Sequence, residues 1–398
     1  MTDFNLKFTS SPSENTRTYK LLELPPELLK EIESQGEQIP SSWSIKGQTT
    51  EDAVLCTANK TYALRSVVLS NSVLVVTPPM NNSEGNPDTD VVIRDELHEI
   101  LELVPCVPKL QGLRGMLRGR VYDEGHEDED EDMDEDVEGN ENENSQEQVR
   151  KQAKKRKFTY ADAREMLQSS DGELSEGLKQ RRILILPGGE LRPISHSLLT
   201  TILELLLNFV VQFSLPHDAA SVADLTTAIE ESQDIRRQVT TQVMEWFGDI
   251  SKEGGKWKMD VEGIVKEVGI GILRSYKDDP IPEDEFLTKW RTAVGDSFES
   301  VASLPLLSGN YLSFPSPISF PPIPVLAYFP ASELPSDPAA RFNDLFLTRP
   351  RWKADEISPF LLDICVNNKE RDKLLLKFAR AITDSEGVWY TARAKYNG

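Results

Sequence analysis

Apolar positions in about the first ninety residues come in short runs that are typical of one helix followed by strands. The segment LPPELLKEIESQ begins with two prolines and repeats leucine and isoleucine on one face, which predicts a helix. The runs DAVLCT, KTYALRSVV and NSVLVVTP are rich in valine and leucine and predict strands, with breaks at Ala58-Asn59 and Ser70-Asn71. Three or four strands are too few to close on themselves, and an incomplete sheet leaves edges that invite another chain. This region is therefore predicted to need a partner.

Helical spacing replaces this pattern from Ile93 onwards, and helices followed by a short β-ribbon occur three times. The first group has helices in IRDELHEILELV, TYADAREMLQ and SDGELSEGLKQRR and a ribbon in RILILPGGELRPI. The second has helices in SHSLLTTILELLLNFVVQF, SVADLTTAIEES and DIRRQVTTQVMEWFG and a ribbon around KEGGKWKMD. The third has the helix EDEFLTKWRTAVG, the strand PVLAYFP, helices in PAARFNDLFLTRP, ADEISPFLLDIC and NKERDKLLLKFARAI, and the ribbon GVWYTARAK. Three helices followed by a β-ribbon is the element order of a winged helix, which is a helix-turn-helix variant.

The sequence thus predicts an α+β chain that begins with an incomplete β-sheet or barrel domain. This β-rich partner-binding domain covers residues 1–92, and three tandem winged helices follow over 93–194, 195–278 and 279–398. The first winged helix contains an insert at 121–157 that is predicted to be disordered. The three helical groups share little literal sequence, so the predicted repeat is one of architecture.

The disorder prediction comes from charge. Between residues 121 and 148 the row VYDEGHEDEDEDMDEDVEGNENENSQEQ holds fifteen Asp and Glu and no Lys or Arg, so it supplies most of the net charge of -22. Such a segment repels itself and has almost nothing to bury. The basic cluster RKQAKKRK follows at 150–157. It is compatible with a nuclear localisation signal and equally with a solvated linker.

Cysteine usage and hydropathy indicate an intracellular protein without a membrane span. Cys56, Cys106 and Cys365 are far apart and odd in number and lack CxxC spacing, which favours reduced thiols over a zinc site. The N-terminus MTDFNLKFTS has no apolar segment of the secretory type. Polar residues interrupt SLLTTILELLLNFVVQFSL at helical spacing, so this segment is predicted to be a buried amphipathic helix.

Motifs for catalysis are missing, and an enzyme is the class that the sequence supports least. The chain contains neither a GxxxxGK[ST] phosphate loop nor GxGxxG, and none of its four histidines belongs to HExxH. We therefore expect no catalytic residues, no metal site and no cofactor.

The last predicted helix has one basic face. Its members, spaced by four, four and three residues, are Lys369, Lys373, Lys377 and Arg380. Leucine and phenylalanine occupy the opposite face and are expected to pack on the domain core. In a winged helix this third helix lies against the nucleic-acid backbone or in its groove.

The ribbon that follows places Trp389 beside Arg393 and Lys395. Aromatic and basic side chains together suit stacking on bases and pairing with phosphates, so these residues complete the predicted nucleic-acid site. The alternative is a surface helix with solubilising lysines and a tryptophan buried under the ribbon. Trp389 itself is expected in the core rather than as a stacking platform.

The two earlier ribbons carry weaker signals of the same kind. Arg181 and Arg182 precede the first ribbon, and Lys256, Trp257 and Lys258 lie in the second. Both ribbons are expected to be protein-packing surfaces, and their paired glycines are expected to form hairpin turns.

Two stretches resemble a known family. LLELPPELLKEIESQ followed by DAVLCTANKTYALRSVVLSNSVLVV, and YFPASELPSDPAARFNDLFLTRPRWKADEISPFL near the C-terminus, are similar to the sister chromatid cohesion subunit of the alternative clamp loader built on replication factor C. The second stretch, centred on LPSDPAARF and RPRW, is the more specific. The acidic insert departs from the family pattern and puts the start of the first winged helix in doubt.

The resemblance implies partners and a compartment. In that family the N-terminal sheet joins a small cohesion subunit and the C-terminal tail of the large ATPase subunit. Three winged helices then bind DNA and help to dock the loader on the catalytic subunit of DNA polymerase epsilon. ATP hydrolysis belongs to the other subunits, PCNA is an indirect partner, and the nucleus is the expected location.

The leading hypothesis is thus a non-catalytic clamp-loader adaptor that contacts single- or double-stranded DNA without sequence preference. The alternative is a sequence-specific winged-helix transcription regulator that binds duplex DNA alone. Base readout requires Arg, Asn or Gln aimed at base edges, whereas the basic face is mostly Lys, which suits phosphates.

Overall fold

The structure is a computed structural model, and it describes most of the chain. The described residues are 5–8, 18–34, 36, 39–40, 42–49, 51–77, 90–123, 157–251, 255–316, 320–385 and 387–393. The chain is divided into two compact units, which are residues 1–109 with 167–173 (unit 1) and residues 110–166 with 174–398 (unit 2). Helices and sheets occur together in the chain, which confirms the predicted α+β class.

Unit 1 is a six-stranded open sheet with one helix. Its elements are β1 (Asn5–Phe8), β2 (Leu21–Glu23), α1 (Pro26–Ser34), β3 (Ser44–Lys46), β4 (Val54–Cys56), β5 (Thr61–Thr77) and β6 (Asp90–Pro105). The strand order is β1-β6-β5-β4-β3, and β2 also pairs with β6. β1 and β2 run parallel to β6, whereas the other neighbours are antiparallel.

The helix predicted over IRDELHEILELV is wrong, because these residues lie in β6. The apolar positions of this segment fit the period of a helix and that of a strand equally well, and its pairing with β5 makes it a strand. Leu97 and Leu103 are buried and fall on the same side of an alternating strand. The predicted domain limit at residue 92 therefore falls inside the strand in the middle of the sheet.

The predicted break at Ser70-Asn71 is also wrong as a strand end, because β5 continues through it. Ser70-Asn71 instead marks an irregularity, since the register between β5 and β6 shifts between Val68 and Val73. Extra residues in one strand form a bulge and increase the local twist. The turn-forming sequence thus bends one long strand without ending it.

The core of unit 1 is small and lies at one end of the long β5–β6 pair. It consists of Leu28 from α1 with Leu55, Tyr62 and Leu103 from the sheet. The Tyr62 hydroxyl donates a hydrogen bond of 2.6 Å to Glu27, so the helix is tied to the sheet by a polar contact as well. Burial and this hydrogen bond raise the pKa of Tyr62.

A segment distant in sequence, residues 167–173, packs on the same end of the sheet. The Thr61 hydroxyl donates a hydrogen bond of 2.5 Å to Glu173, and the Gly172 amide donates one of 2.9 Å to the Ala58 carbonyl. A Cβ atom on Gly172 would lie only 2.7 Å from the side-chain oxygen of Asn59. Glycine is therefore required where the two backbones approach each other.

Unit 2 contains the remaining helices and four small sheets. Its first elements are α2 (Gly112–Met116), α3 (Tyr160–Met166), α4 (Asp171–Gln180, of which the first turn belongs to unit 1), β7 (Ile183–Ile185), β8 (Leu191–Pro193), α5 (His196–Gln212), β9 (Ala220–Ser221), α6 (Val222–Gln233), α7 (Arg237–Trp246), β10 (Gly248–Ile250) and β11 (Lys256–Met259). Its later elements are α8 (Val261–Leu273), β12 (Ile281–Pro282), α9 (Glu283–Val294), β13 (Tyr311–Pro315), β14 (Pro324–Tyr328), α10 (Pro338–Thr348), β15 (Arg351–Lys353), α11 (Ala354–Ile357), α12 (Asn368–Phe378), β16 (Ala379–Asp384) and β17 (Gly387–Ala392). The sheets are β7-β8, β10-β11-β9, β12-β14-β13 and β15-β17-β16.

Most predicted helices and ribbons of unit 2 are confirmed as elements, whereas their assignment to winged helices stays a prediction. Each predicted group does end in an antiparallel ribbon, formed by β7 with β8, β10 with β11 and β16 with β17. The first ribbon turns through Gly188 and Gly189, whose φ angles of 81° and 79° confirm the expected glycine turn. The helix α8, which the sequence pattern did not single out, is apolar almost all round and buried.

Described residues of unit 2 form two large hydrophobic cores. The first core extends from Tyr122 to Leu326 and includes most of α5 and α8, so the apolar segment in α5 is a buried helix as predicted. Gly269 of α8 permits close packing of Trp290, whose ring carbon would lie 2.5 Å from a Cβ atom there. The second core belongs to the C-terminal residues and includes Phe342, Trp352 and Phe378.

The three cysteines are free thiols, as the sequence predicted. Burial raises the pKa of Cys106 and of Cys365 to about 11, which makes their thiolates scarce near neutral pH. In the described part of the chain, no helix has the length and apolar character needed to cross a membrane.

Arg341 is the most deeply buried charged side chain of the second core region, with 1% of its surface exposed. Asp337 caps the start of α10 and Pro338 follows as its first residue, so the LPSDPAARF motif turns Arg341 back onto the preceding loop. Its guanidinium donates to the backbone carbonyls of Pro335 (2.6 Å) and Phe360 (2.8 Å). It also pairs with Asp363, at 2.9 Å from Nη2 to one carboxylate oxygen.

The acidic insert was predicted to begin at Val121, and this boundary is wrong. Tyr122 is fully buried, its amide donates to the Pro193 carbonyl at 2.8 Å, and Asp123 accepts a hydrogen bond of 2.9 Å from Ser195. The Tyr122 ring packs in the first core of unit 2, whereas the acidic run that follows in the sequence has no apolar side chains of that size. The remainder of the tract (124–148) and the basic residues at 150–156 lie outside the described residues.

We predict that deletion of residues 124–148 leaves the melting temperature of the chain unchanged, because the deleted residues supply almost no apolar surface. Tyr122→Ala should instead lower the free energy of unfolding by about 3 kcal/mol, since it removes a fully buried aromatic ring. Thermal and denaturant unfolding of the two variants beside the wild type measures both effects. A deletion that lowers the melting temperature by several degrees would show that the tract packs against something.

Arg341→Ala should lower the free energy of unfolding by about 3 kcal/mol, because it leaves the carbonyls of Pro335 and Phe360 without their hydrogen-bond donor. The matched change on the other side of the ion pair, Asp363→Asn, should cost only about 1 kcal/mol, since the Asp363 side chain is 47% exposed. Denaturant titrations of both variants compare them. Equal losses would show that the ion pair with Asp363, and not the hydrogen bonds to the two carbonyls, stabilises this part of the fold.

Candidate partner and nucleic-acid interfaces

One edge of the unit 1 sheet is open along most of β5. β4 pairs with β5 only from Thr61 to Ala63, while β6 covers the other side as far as Thr77. Within the described residues, no strand pairs with the rest of this edge. Unpaired backbone donors and acceptors of an edge strand form a template on which another strand can add.

Apolar side chains are exposed along the same part of β5. Val68 is 81% exposed, and Val73, Leu74 and Val76 are each about 40% exposed. These residues lie beyond the small core at the other end of the sheet. Among the described residues the sheet has six strands, where three or four were predicted, and these strands form no closed barrel. The combination of an open edge with exposed apolar residues makes β5 the candidate partner interface.

The second candidate site lies at the C-terminus and begins with α12. Asn367 caps this helix by accepting a hydrogen bond of 3.0 Å from the Glu370 amide. Leu375 and Phe378 are buried, and Phe378 stacks on Phe342 with the ring centroids 5.2 Å apart. The predicted lysines lie on the opposite side. Lys369, Lys373 and Lys377 are all exposed and follow one another at intervals of four residues.

Arg380 does not belong to this helix, which corrects the predicted basic face. α12 ends at Phe378, and Ala379 already has the extended φ and ψ of -121° and 161°. The buried Ala379 begins β16, because pairing with β17 satisfies its backbone better than another helical turn would. Ile382, two residues after Arg380 in β16, is 42% exposed.

The C-terminal sheet nevertheless gathers basic residues on one face. Side chains of directly paired residues project to the same side of a sheet. Arg351 and Arg380 both lie opposite Thr391, and Lys353 lies opposite Trp389. The other face carries Trp352, which is 1% exposed and donates from Nε1 to the Leu345 carbonyl. The core side and the cationic side of the sheet are thus fixed by strand register.

Trp389 lies on the cationic face and is half-buried, so its predicted place in the core is taken by Trp352. The Arg351 guanidinium lies 4.1 Å and the Lys353 ammonium 5.1 Å from the Trp389 ring centroid. Asp384 accepts hydrogen bonds from the Trp389 indole (3.0 Å) and from Arg351. The ring therefore orients two cations by cation–π contact.

The remaining predicted site residues lie at the end of this sheet. Arg393 is exposed and donates from Nε to the Ala379 carbonyl at 3.2 Å. Lys395 lies outside the described residues.

Sequence reasoning missed Arg351 and Lys353. The signal was present in RPRWK, where two basic residues flank a tryptophan with the alternating period of a strand. The same motif carries the family resemblance, and the alternation within it was not interpreted as a strand. The strand is evident from the pairing of β15 with β17.

The two earlier ribbons behave as packing elements. Arg182 pairs with Glu267 at 2.9 Å and lies 4.2 Å over the Phe247 ring. Trp257 is fully buried and donates from Nε1 to the Met244 carbonyl at 2.9 Å. Lys256 and Lys258 are exposed on the same ribbon as Trp257. Over the part of the chain that the structure describes, no three His, Cys, Asp or Glu side chains are grouped to hold a metal ion.

Comparison with known proteins agrees with the resemblance noted in the sequence. The family model described as sister chromatid cohesion protein Dcc1 matches residues 19–361. The chain is 25% identical to the sister chromatid cohesion protein DCC1 of Saccharomyces cerevisiae over 380 residues, which cover 93% of this chain and 95% of the yeast protein. It is 27% identical to the Xenopus laevis protein of the same name (95% and 88% covered) and 24% identical to the human one (94% and 88% covered).

We predict that changing Lys369, Lys373 and Lys377 to Glu flattens the salt dependence of duplex DNA binding. Each phosphate contact releases about one counterion, so three contacts give a log–log slope of about -2.7 and an affinity loss of about 40-fold between 50 and 200 mM salt. Fluorescence anisotropy with a labelled duplex at several salt concentrations measures the slope.

The matched control reverses three exposed cations elsewhere in unit 2, namely Arg114, Lys256 and Lys258. This control should leave the slope unchanged if α12 is the interface. A folded α12 variant with the wild-type slope would make the three lysines an ordinary solvated face.

Proposed function

Because this chain belongs to the Dcc1 family of sister chromatid cohesion proteins, we propose that it serves cohesion as a non-catalytic adaptor subunit of an alternative clamp loader built on replication factor C. In this proposal it links the loading and unloading of PCNA to DNA polymerase epsilon at the replication fork, in the nucleus. Its direct partners are the large ATPase subunit, the small cohesion subunit and the catalytic subunit of the polymerase. ATP hydrolysis takes place in the large subunit and its companions.

The observation that carries the adaptor proposal is the open edge of β5. A strand from a partner can add its backbone hydrogen bonds there, and its side chains can cover Val68, Val73 and Leu74. Such an arrangement buries apolar surface that the small core of unit 1 leaves exposed. The two proposed partners would thereby complete the sheet.

The DNA-binding part of the proposal rests on the C-terminal cations. Lysines on α12 and the basic face of the β15-β17-β16 sheet offer charges suited to phosphates. Attachment to the fork through the polymerase raises the local DNA concentration, so weak contacts suffice. An acidic chain with a basic terminal surface would otherwise remain off bulk DNA.

A non-catalytic role agrees with the absence of a phosphate loop from the sequence. A subunit that binds and positions others needs no pocket with convergent acid and base groups.

We predict that Val68→Asp combined with Val73→Asp prevents assembly with the large ATPase subunit's C-terminal segment and the small cohesion subunit. The two aspartates would place charges in a desolvated interface, whereas in the free chain both positions are exposed and the fold tolerates them. Coexpression followed by size-exclusion chromatography measures the stoichiometry.

Ile45→Asp is the control for this experiment, because Ile45 is 68% exposed on β3, a strand that pairs with β4 and not with β5. It should assemble like the wild type. A stoichiometric complex with the double variant would place the partners elsewhere on the chain.

The same reagents test the rival hypothesis of a sequence-specific transcription regulator. Binding of unrelated duplexes at one fixed salt concentration should differ little for an adaptor. A preference of more than about a hundredfold for one sequence would favour the regulator, because phosphate contacts carry no sequence information.

A further inference from the structure

The hairpin formed by β13 and β14 ends in a run of exposed apolar residues. Its strands are paired up to Pro315 opposite Pro324, and the Ser316 amide donates to the Ile323 carbonyl at 2.8 Å. The five consecutive residues Phe320-Pro321-Pro322-Ile323-Pro324 are all exposed. Phe320 is 100% exposed and Ile323 is 40% exposed, and the peptide bond between Phe320 and Pro321 is cis. Runs of this kind on a surface are unfavourable unless they serve a function.

The sequence around the tip reinforces this observation. Residues 300–332 contain no Asp, Glu, Lys, Arg or His, although 28% of the chain is Asp, Glu, Lys or Arg. Solubilising charges normally accompany exposed apolar residues. The centres of protein interfaces, in contrast, are depleted of charge and enriched in aromatic residues. The tip therefore has the composition of an interface centre.

The chemistry of the tip selects a protein partner over a nucleic acid. Nucleic-acid surfaces neutralise phosphates with Lys and Arg, and the nearest residues along the chain provide neither. Pro321, Pro322 and Pro324 lack backbone N–H donors, so these positions cannot donate the hydrogen bonds by which a strand adds to a sheet edge. They suit an apolar groove that receives proline rings, with Phe320 as an aromatic anchor.

We propose that residues 320–324 are a docking segment for a protein domain whose groove is lined by aromatic side chains. Grooves of this class occur in SH3, WW and EVH1 domains, which take PxxP segments, and Pro321 to Pro324 has that spacing. The absence of nearby charge favours an uncharged groove with a pocket for Phe320. This partner is additional to those that bind β5 or the C-terminal cations.

Titration of the full-length chain with purified EVH1, WW and SH3 domains by isothermal calorimetry tests the proposal. Saturable binding by at least one of these domains is expected, since all three receive proline rings in grooves lined by aromatic side chains. Phe320→Ser should weaken the binding at least tenfold, because it removes the whole aromatic anchor. Pro322→Ala keeps the aromatic ring of Phe320 and should therefore weaken the binding less than Phe320→Ser does.

Leu347→Ser is the control, since Leu347 is 76% exposed on α10 and away from the tip in sequence. Its binding should match that of the wild type. Unfolding curves should show that Phe320→Ser folds normally, as expected for a side chain without contacts to lose.

Each contrary result is informative. The proposal is overturned if none of the three domains saturates the wild type, or if Phe320→Ser binds as tightly as the wild type. Sedimentation that shows wild-type self-association, lost in Phe320→Ser, would identify a second copy as the occupant. Weaker duplex DNA binding by Phe320→Ser would instead make the tip an apolar wedge between bases.

Discussion

The paired backbones of β5 and β6 run from Tyr62 opposite Pro105 to Thr77 opposite Val92, and β1, β2 and β4 each pair directly with one of them. This ladder is longer than the core that supports it, because α1 and β4 pack at the Tyr62 end, whereas among the described residues the far end is joined by β1 alone, along β6. A two-stranded ribbon is marginally stable in water without a covered apolar face. The far end of the ladder is therefore the part of the unit with the most to gain from a partner. A partner strand on β5 would cover the same apolar residues that this end of the sheet leaves exposed.

A different constraint shapes the C-terminal residues, where polar contacts position an interface. Arg341 fixes the loop before α10 and the segment that carries Phe360, and Trp352 and Phe378 complete the adjoining core. Burial of Trp352 forces its neighbours in β15 to the outer face, where Trp389 orients them. The cationic surface is thus a consequence of core packing. Its strength in solution depends on salt, since these charges are exposed.

The two surfaces have opposite physical character, which suits a chain with several partners. The β5 edge offers backbone hydrogen bonds and apolar side chains, which confer affinity that changes little with salt. The C-terminal cations offer screened charge, so any contact with a polyanion there would weaken as the salt concentration rises. The net charge of -22 would repel a polyanion from the rest of the chain.

The sequence by itself determined those elements whose periodicity is unambiguous, such as α1, α5 and α10, and it identified Lys369, Lys373 and Lys377 as an exposed face. Prediction from the sequence failed where a helical period and a strand period fit the apolar positions equally well. A helix was predicted for residues 93–104, which instead pair with β5. Arg380 was predicted as the last member of the basic helix, whereas the chain pairs with β17 from Ala379 onwards. Arg351 and Lys353 joined the site only through strand register. Local pattern records which side chains prefer burial, but only long-range pairing decides which backbone groups are satisfied by which strand. That choice is made by the whole domain, so it is not contained in any short segment.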